Sequence, residues 1–133
     1  MNNTIHSSDD FEGMRKAGNL AASTLDLLVE KVKPGVSTEE LDNIAFDYII
    51  RNGGLIAPLF YKGYPKSVCT SINHVICHGI PSSRILENGD IVNIDVTVIV
   101  DGWHGDTSRM FPVGKINAKA QKLIDCTFQA MHE

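Results

Sequence analysis

Residues 90–111 read DIVNIDVTVIVDGWHGDTSRMF, and the fold turns on them. From Ile91 to Val100 side chains alternate between two faces. Val92, Ile94, Val96, Val98 and Val100 share one; Ile91, Asn93, Asp95, Thr97 and Ile99 share the other. Asp101-Gly102 is the dipeptide that a two-residue hairpin favours, so a partner strand is expected from Trp103 to Val113. Pairing Val100 with Trp103 sets Asp95 opposite Ser108 and Thr97 opposite Asp106. Asp106 is then a diagonal neighbour of Asp95 on one face, about 7–8 Å away at the backbone. From that spacing two carboxylates can lean together around a metal pair about 3.5–4 Å apart. Without a cation they repel each other, and one tends to hold a proton. The plainer reading is a pair of solvated or turn-satisfying aspartates, as Asp101 is beside Gly102. Asp95, however, interrupts a near-continuous Val/Ile run, where a carboxylate is costly unless compensated.

Upstream, Asp9 and Glu12 have the spacing of a capping box. Phe11, Met14, Ala17, Gly18, Ala21, Ala22, Leu25, Leu28, Val29 and Val32 follow at helical steps, until Pro34-Gly35 ends them. Ser37 and Glu40 open a second helix with Leu41, Ile44, Ala45, Tyr48 and Ile49 on its stripe, stopped by Asn52-Gly53-Gly54. Residues 55–66 have no clean period and read as an irregular connection. Ser67 to Ile72 and Val75 to Gly79 read as short strands around an Asn73-His74 turn. That turn sets His78 across from Cys69 and Cys77 across from Thr70, which keeps the two thiols on opposite faces and unbonded. Downstream, Asn117 caps a last helix carrying Ala120, Leu123, Ile124, Thr127 and Met131, its stripe still running at Glu133. Two helices, antiparallel hairpins and a C-terminal helix make an α+β fold, with residues 1–133 as a single domain.

Twelve basic and sixteen acidic residues give a net charge of -4 with no Lys/Arg block, so no nucleic-acid partner is expected. No apolar run approaches the roughly 18 residues of a membrane span. Met1 to Asp10 has neither the basic nor the apolar region of a secretory leader. Three cysteines, Cys69, Cys77 and Cys126, fit reduced thiols in a cytoplasm. Among the histidines, His78 near the acids can bind metal, donate to a substrate or merely satisfy a carbonyl. His74 fits the turn, His6 and His132 lie near the ends, and His104 can join the acidic face. Phe60, Tyr61 and Tyr64, near Cys69, suit an apolar pocket or a cover for the core.

The stretches MRKAGNLAASTLD, YKGYPKSVCTSINHVICHGIP and GDIVNIDVTVIVDGWHGDTSRMF together resemble methionine aminopeptidases, type I, of the short bacterial form. The resemblance runs over nearly the whole chain from about Phe11, and NIDVTV followed by HGDTS at this spacing is its specific part. It implies the pita-bread fold of two pseudo-symmetric halves, of which 1–133 is the first, N-terminal half, truncated at Glu133. It implies a metalloaminopeptidase that removes the initiator methionine through a two-metal-activated hydroxide. By the same resemblance Asp95 is a bidentate ligand of the first metal and Asp106 bridges both. His78 hydrogen-bonds the scissile amide region and assists the leaving group, and Tyr61, Tyr64 and Cys69 line the methionine pocket. The cofactors implied are two divalent ions (Mn, Fe, Co or Zn). The partners are nascent N-termini with Met before a small residue, met at the ribosome by a monomeric cytoplasmic enzyme.

The family's remaining ligands, one His and two Glu, lie in its second half. Two carboxylates cannot fill two metal shells of on the order of ten positions, so the chain alone is expected to be inactive and to bind metal weakly. Three readings follow: part of an aminopeptidase; a half-length, non-catalytic module that binds peptides or a partner chain; or a half-site completed by a second chain.

Overall fold

The computed structural model describes residues 5–133; the first four residues of the stretch read as leaderless lie outside it. Helix α1 spans Ser8–Leu28 and α2 Thr38–Arg51. Strands β1 (Leu55–Ile56), β2 (Cys69–Ile72), β3 (Ile91–Val100) and β4 (Trp103–Pro112) form one antiparallel sheet, and α3 (Ala118–His132) follows.

The hairpin behaves as its sequence dictates. Asp101 and Gly102 take φ of +51° and +85°, the two left-handed residues of the expected turn. The β3–β4 register pairs Val100 with Trp103, Asp95 with Ser108 and Thr97 with Asp106. The other edge of β3 is shared end to end: β2 pairs along Val92–Asp95 and β1 along Val98–Ile99. Val92, Ile94, Val96 and Val98 are fully buried on one face, beneath Leu25 and Leu28 of α1 and Leu41 and Ile49 of α2.

Several local expectations are corrected. The cap of α1 is Ser7 with Asp10, not Asp9 with Glu12: Ser7 N–H donates to Asp10 Oδ2 at 2.7 Å, and the Ser7 hydroxyl accepts from Asp10 N–H. The stripe is Ala17, Leu20, Ala21, Thr24, Leu25 and Leu28, whereas Phe11, Met14 and Val29 are exposed. The helix stops at Leu28, before the Pro34-Gly35 break. Ser37 caps α2 by accepting from Glu40 N–H, and Leu41, Ala45 and Ile49 are buried as expected. Leu55–Ile56 is a short strand inside what reads as an irregular connection.

The larger correction is the upstream hairpin. Residues 75–79 are not a strand, and β2, shorter than Ser67 to Ile72, pairs with β3 instead. The reason lies in Asn73. Asn73-His74 does turn, Val75 N–H donating to the Ile72 carbonyl at 3.0 Å. But the Asn73 amide donates to Asp90 Oδ1 at 2.8 Å and its oxygen accepts from Ile91 N–H at 3.0 Å, so the turn is clamped to the start of β3 and no strand follows it. Cys69 therefore faces Asp95, not His78, and Gly79, not Cys77, lies beside Thr70, whose N–H donates to its carbonyl at 2.8 Å. All three cysteines are free thiols. Asn117 caps α3, on which no residue is buried. No helix among the described residues is long and apolar enough to cross a membrane.

Candidate metal and substrate site

The face of β3 opposite the core carries Asn93, Asp95 and Thr97, and β4 adds Ser108, Asp106 and His104 beside them. With two helices filling the other face, period-2 alternation delivers both carboxylates to the open side of the sheet. Thr97 Oγ1 donates to Asp106 Oδ1 at 3.1 Å, fixing that carboxylate across the strands. Burial first, and then the charge and hydrogen bonding of Asp106, push the Asp95 carboxyl up; His78 pulls the other way.

A cleft of about 810 Å³ opens over this pair. Its floor is Asp95, Asp106, Thr97 and His104. Cys69 enters from β2, His78 and Ile80 from the following loop, and Ala57, Pro58, Tyr61 and Tyr64 from the β1–β2 connection. Every site residue predicted from the sequence thus lines one cavity: His78, Asp95, Asp106, Tyr61, Tyr64 and Cys69. Cys69 is buried, its thiol pushed up chiefly by burial and further by the charges of Asp95, Cys77 and Asp106, against a lowering bond from Tyr64. A thiol held up in this way is protonated at neutral pH and is no nucleophile. Burial and a hydrogen bond with Cys69 push the Tyr64 phenol up as well, so it serves as a donor. That hydroxyl shares its one proton between the carbonyls of Val68 at 3.0 Å and Gly79 at 3.1 Å.

Two carboxylate groups are suitable hard-oxygen donors for a divalent ion. Among the described residues no group of three or more His, Cys, Asp or Glu side chains comes together as a metal cage. The chain therefore offers the right donors and too few of them for a closed site. Sequence reasoning gave no role to Thr97, although the cross-strand register that found Asp106 also pairs the two. Asp42 was missed altogether. It is 4% exposed and accepts the N–H groups of Ser67 and Val68 at 2.7 and 3.1 Å, holding the segment between Tyr64 and Cys69. In sequence it reads only as another acid near a helix start.

The chain that carries this acidic pair and cleft belongs to metallopeptidase family M24, whose pattern matches residues 12–133. Its relatives narrow this. It is 57% identical over 127 residues to the methionine aminopeptidase of Rickettsia prowazekii (strain Madrid E), covering 96% of this chain and 49% of that protein. It is 53% identical over 131 residues to that of Escherichia coli (strain K12), covering 97% and 50%. The crystal structure of the Rickettsia prowazekii enzyme superposes with a TM-score of 0.96 at 56% identity, over 97% of this chain and 52% of that one. The prolidase of Pyrococcus furiosus, 21% identical with a TM-score of 0.80, shares the fold. The fold is accordingly the pita-bread fold of this family, and the chain spans about half the length of the curated relatives it matches.

Proposed function

We propose that residues 1–133 form the N-terminal half of a methionine aminopeptidase catalytic domain, which as a whole removes the initiator methionine from nascent proteins with a small second residue. The observation that carries this reading is the convergence of Asp95, Asp106 and His78 on one cleft walled by Tyr61, Tyr64 and Cys69. High identity to proteins of that name supports the substrate.

In this reading Asp95 and Asp106 would hold the divalent ions, with Thr97 orienting Asp106. When bound, such ions supply an activated water and polarise the scissile carbonyl. His78, on the rim of the cleft, donates to the amide being cleaved and steadies the departing chain. Tyr61, Tyr64 and Cys69 exclude water around the methionine side chain, whose thioether packs well against aromatic rings. Manganese, iron, cobalt and zinc all suit the donors present. The complete enzyme works as a cytoplasmic monomer on chains leaving the ribosome, and this half alone binds metal weakly and does not turn over.

The test is methionine release from Met-Ala-Ser with Mn²⁺ by the complete protein that carries this sequence. Release that disappears in Asp106→Asn, with the unfolding midpoint unchanged, supports the metal-holding role. Release that persists overturns it.

A further inference from the structure

Among the described residues His78 is one of five other than glycine with positive φ, at +55°, and the loop carrying it has no strand pairing of its own. Something else must hold it in the left-handed region, which L residues occupy only at a cost. The next peptide supplies the hold. Gly79 N–H donates to the Ser71 hydroxyl at 3.2 Å, and Gly79 C=O accepts from Thr70 N–H at 2.8 Å and from the Tyr64 hydroxyl at 3.1 Å. The loop backbone lies so close to β2 that a Cβ at Gly79 would meet the Thr70 carbonyl. Ser71 is 5% exposed and shares its strand face with Cys69, so its hydroxyl sits under the loop and on the acidic side of the sheet.

We propose that Ser71 is a positioning residue: by accepting the Gly79 N–H it locks His78 in its left-handed conformation and aims the imidazole across the cleft toward Asp95 and Asp106. The inference rests on the role given to His78 above and deepens it. The Gly79 N–H belongs to the peptide that joins His78 to Gly79, so Ser71 fixes the peptide bonded directly to His78, whereas Thr70 and Tyr64 hold the next one through the Gly79 carbonyl. Removing the hydroxyl leaves the peptide free to rotate about the bonds that set the His78 ring.

The experiment compares the complete protein that carries this sequence with its Ser71→Ala and Ser71→Cys variants by NMR, first without metal and then with Mn²⁺ as a paramagnetic probe. Without metal, Ser71→Ala is expected to speed exchange of the Gly79 amide about tenfold and to return His78 to negative φ, read from its backbone coupling and shifts. With Mn²⁺, Asp95 and Asp106 signals should broaden as in the unmodified chain while His78 broadening falls severalfold, which a loss of stability alone would not produce. His78 still left-handed and equally broadened in Ser71→Ala overturns the inference. Should that variant fail to fold, Ser71→Cys, which keeps the shape and replaces the hydroxyl by a weak acceptor, is read in the same way, and an unmoved His78 there overturns the inference equally. Failure of Mn²⁺ to broaden Asp95 and Asp106 in the unmodified chain counts against the metal reading instead, and the metal-free spectra still decide the role of Ser71.

Discussion

Gly105→Ala is expected to be among the most damaging single-methyl changes in this chain. A Cβ built at Gly105 falls on the carbonyl carbon and oxygen of Ala17 and on the Gly18 nitrogen. All three are backbone atoms of α1, so no side-chain rotation can relieve the overlap, and the helix must lift from β4. The face it would lift carries Ala17, Ala21, Leu25 and Leu28, none more than 1% exposed. Overpacking usually costs 1–3 kcal/mol, and a backbone-to-backbone clash belongs at the top of that range, about 3 kcal/mol. With a urea slope of roughly 2 kcal/mol per molar, the midpoint should fall by about 1.5 M. Gly18→Ala is the internal control. It lies in the same stretch of α1, has nothing within 4 Å of its added Cβ, and should gain about 0.5–1 kcal/mol from helix propensity. Equilibrium urea unfolding followed by far-UV circular dichroism measures both. A Gly105→Ala variant within about 0.5 kcal/mol of the parent would refute the close-approach reasoning, whatever Gly18→Ala does.

Thr70 is 5% exposed and its hydroxyl finds no partner among the described residues, so Thr70→Val should stabilise the chain by about 1 kcal/mol; a lower midpoint in the same urea assay would show a partner the structure does not contain. Asp90 would be raised by burial, but the Glu87 N–H, the Asn73 amide and Arg84 outweigh that and leave its carboxyl lowered. A lowered folded value means stability present above the unfolded carboxylate range and lost as pH falls through the folded one. The parent should therefore be more stable than Asp90→Asn at neutral pH, with the gap closing below about pH 4. A gap that is constant from pH 7 to pH 3 would remove Asp90 from the acid transition. Finally, the purified chain with Mn²⁺ should release no methionine from Met-Ala-Ser above a chelator-treated control, and robust release would sink the half-site reading.

The sequence made the hairpin legible to the residue because its signals are local and agree. Strict alternation, an Asp-Gly turn and Val/Ile content all favour one register, so the pairs of Asp95 and Asp106 could be named before any coordinates. The upstream segment was misread because its decisive contacts are not local. Asn73-His74 is the turn it looks to be, yet Asn73 spends its side chain on Asp90 and Ile91, seventeen and eighteen residues on, and no hairpin strand follows. β2 then joins a strand that the local pattern cannot point to. His78 lines the acidic cleft through a backbone the spacing could not contain, left-handed at His78 and bonded to Ser71 through the Gly79 N–H. Asp42 was hidden in the same way, since its partners Ser67 and Val68 lie on a different element.

Core and site are one decision in this fold. A single-residue slip of β3 would carry Asp95 under α1 and α2 and turn Ile94 out to the cleft, so the four buried side chains Val92, Ile94, Val96 and Val98 specify the acidic face as firmly as they specify the core. β4 is pinned on the same core face, because Gly105, opposite Val98 and next to Asp106, allows α1 to press on the strand where any side chain would hold it off. The carboxylates consequently need no scaffold of their own. Their separation is set by hydrophobic packing on the far side of the sheet, and it follows that substitutions in the helix–sheet core, though they touch neither aspartate, should disturb metal binding in proportion to how far they move β4 relative to β3.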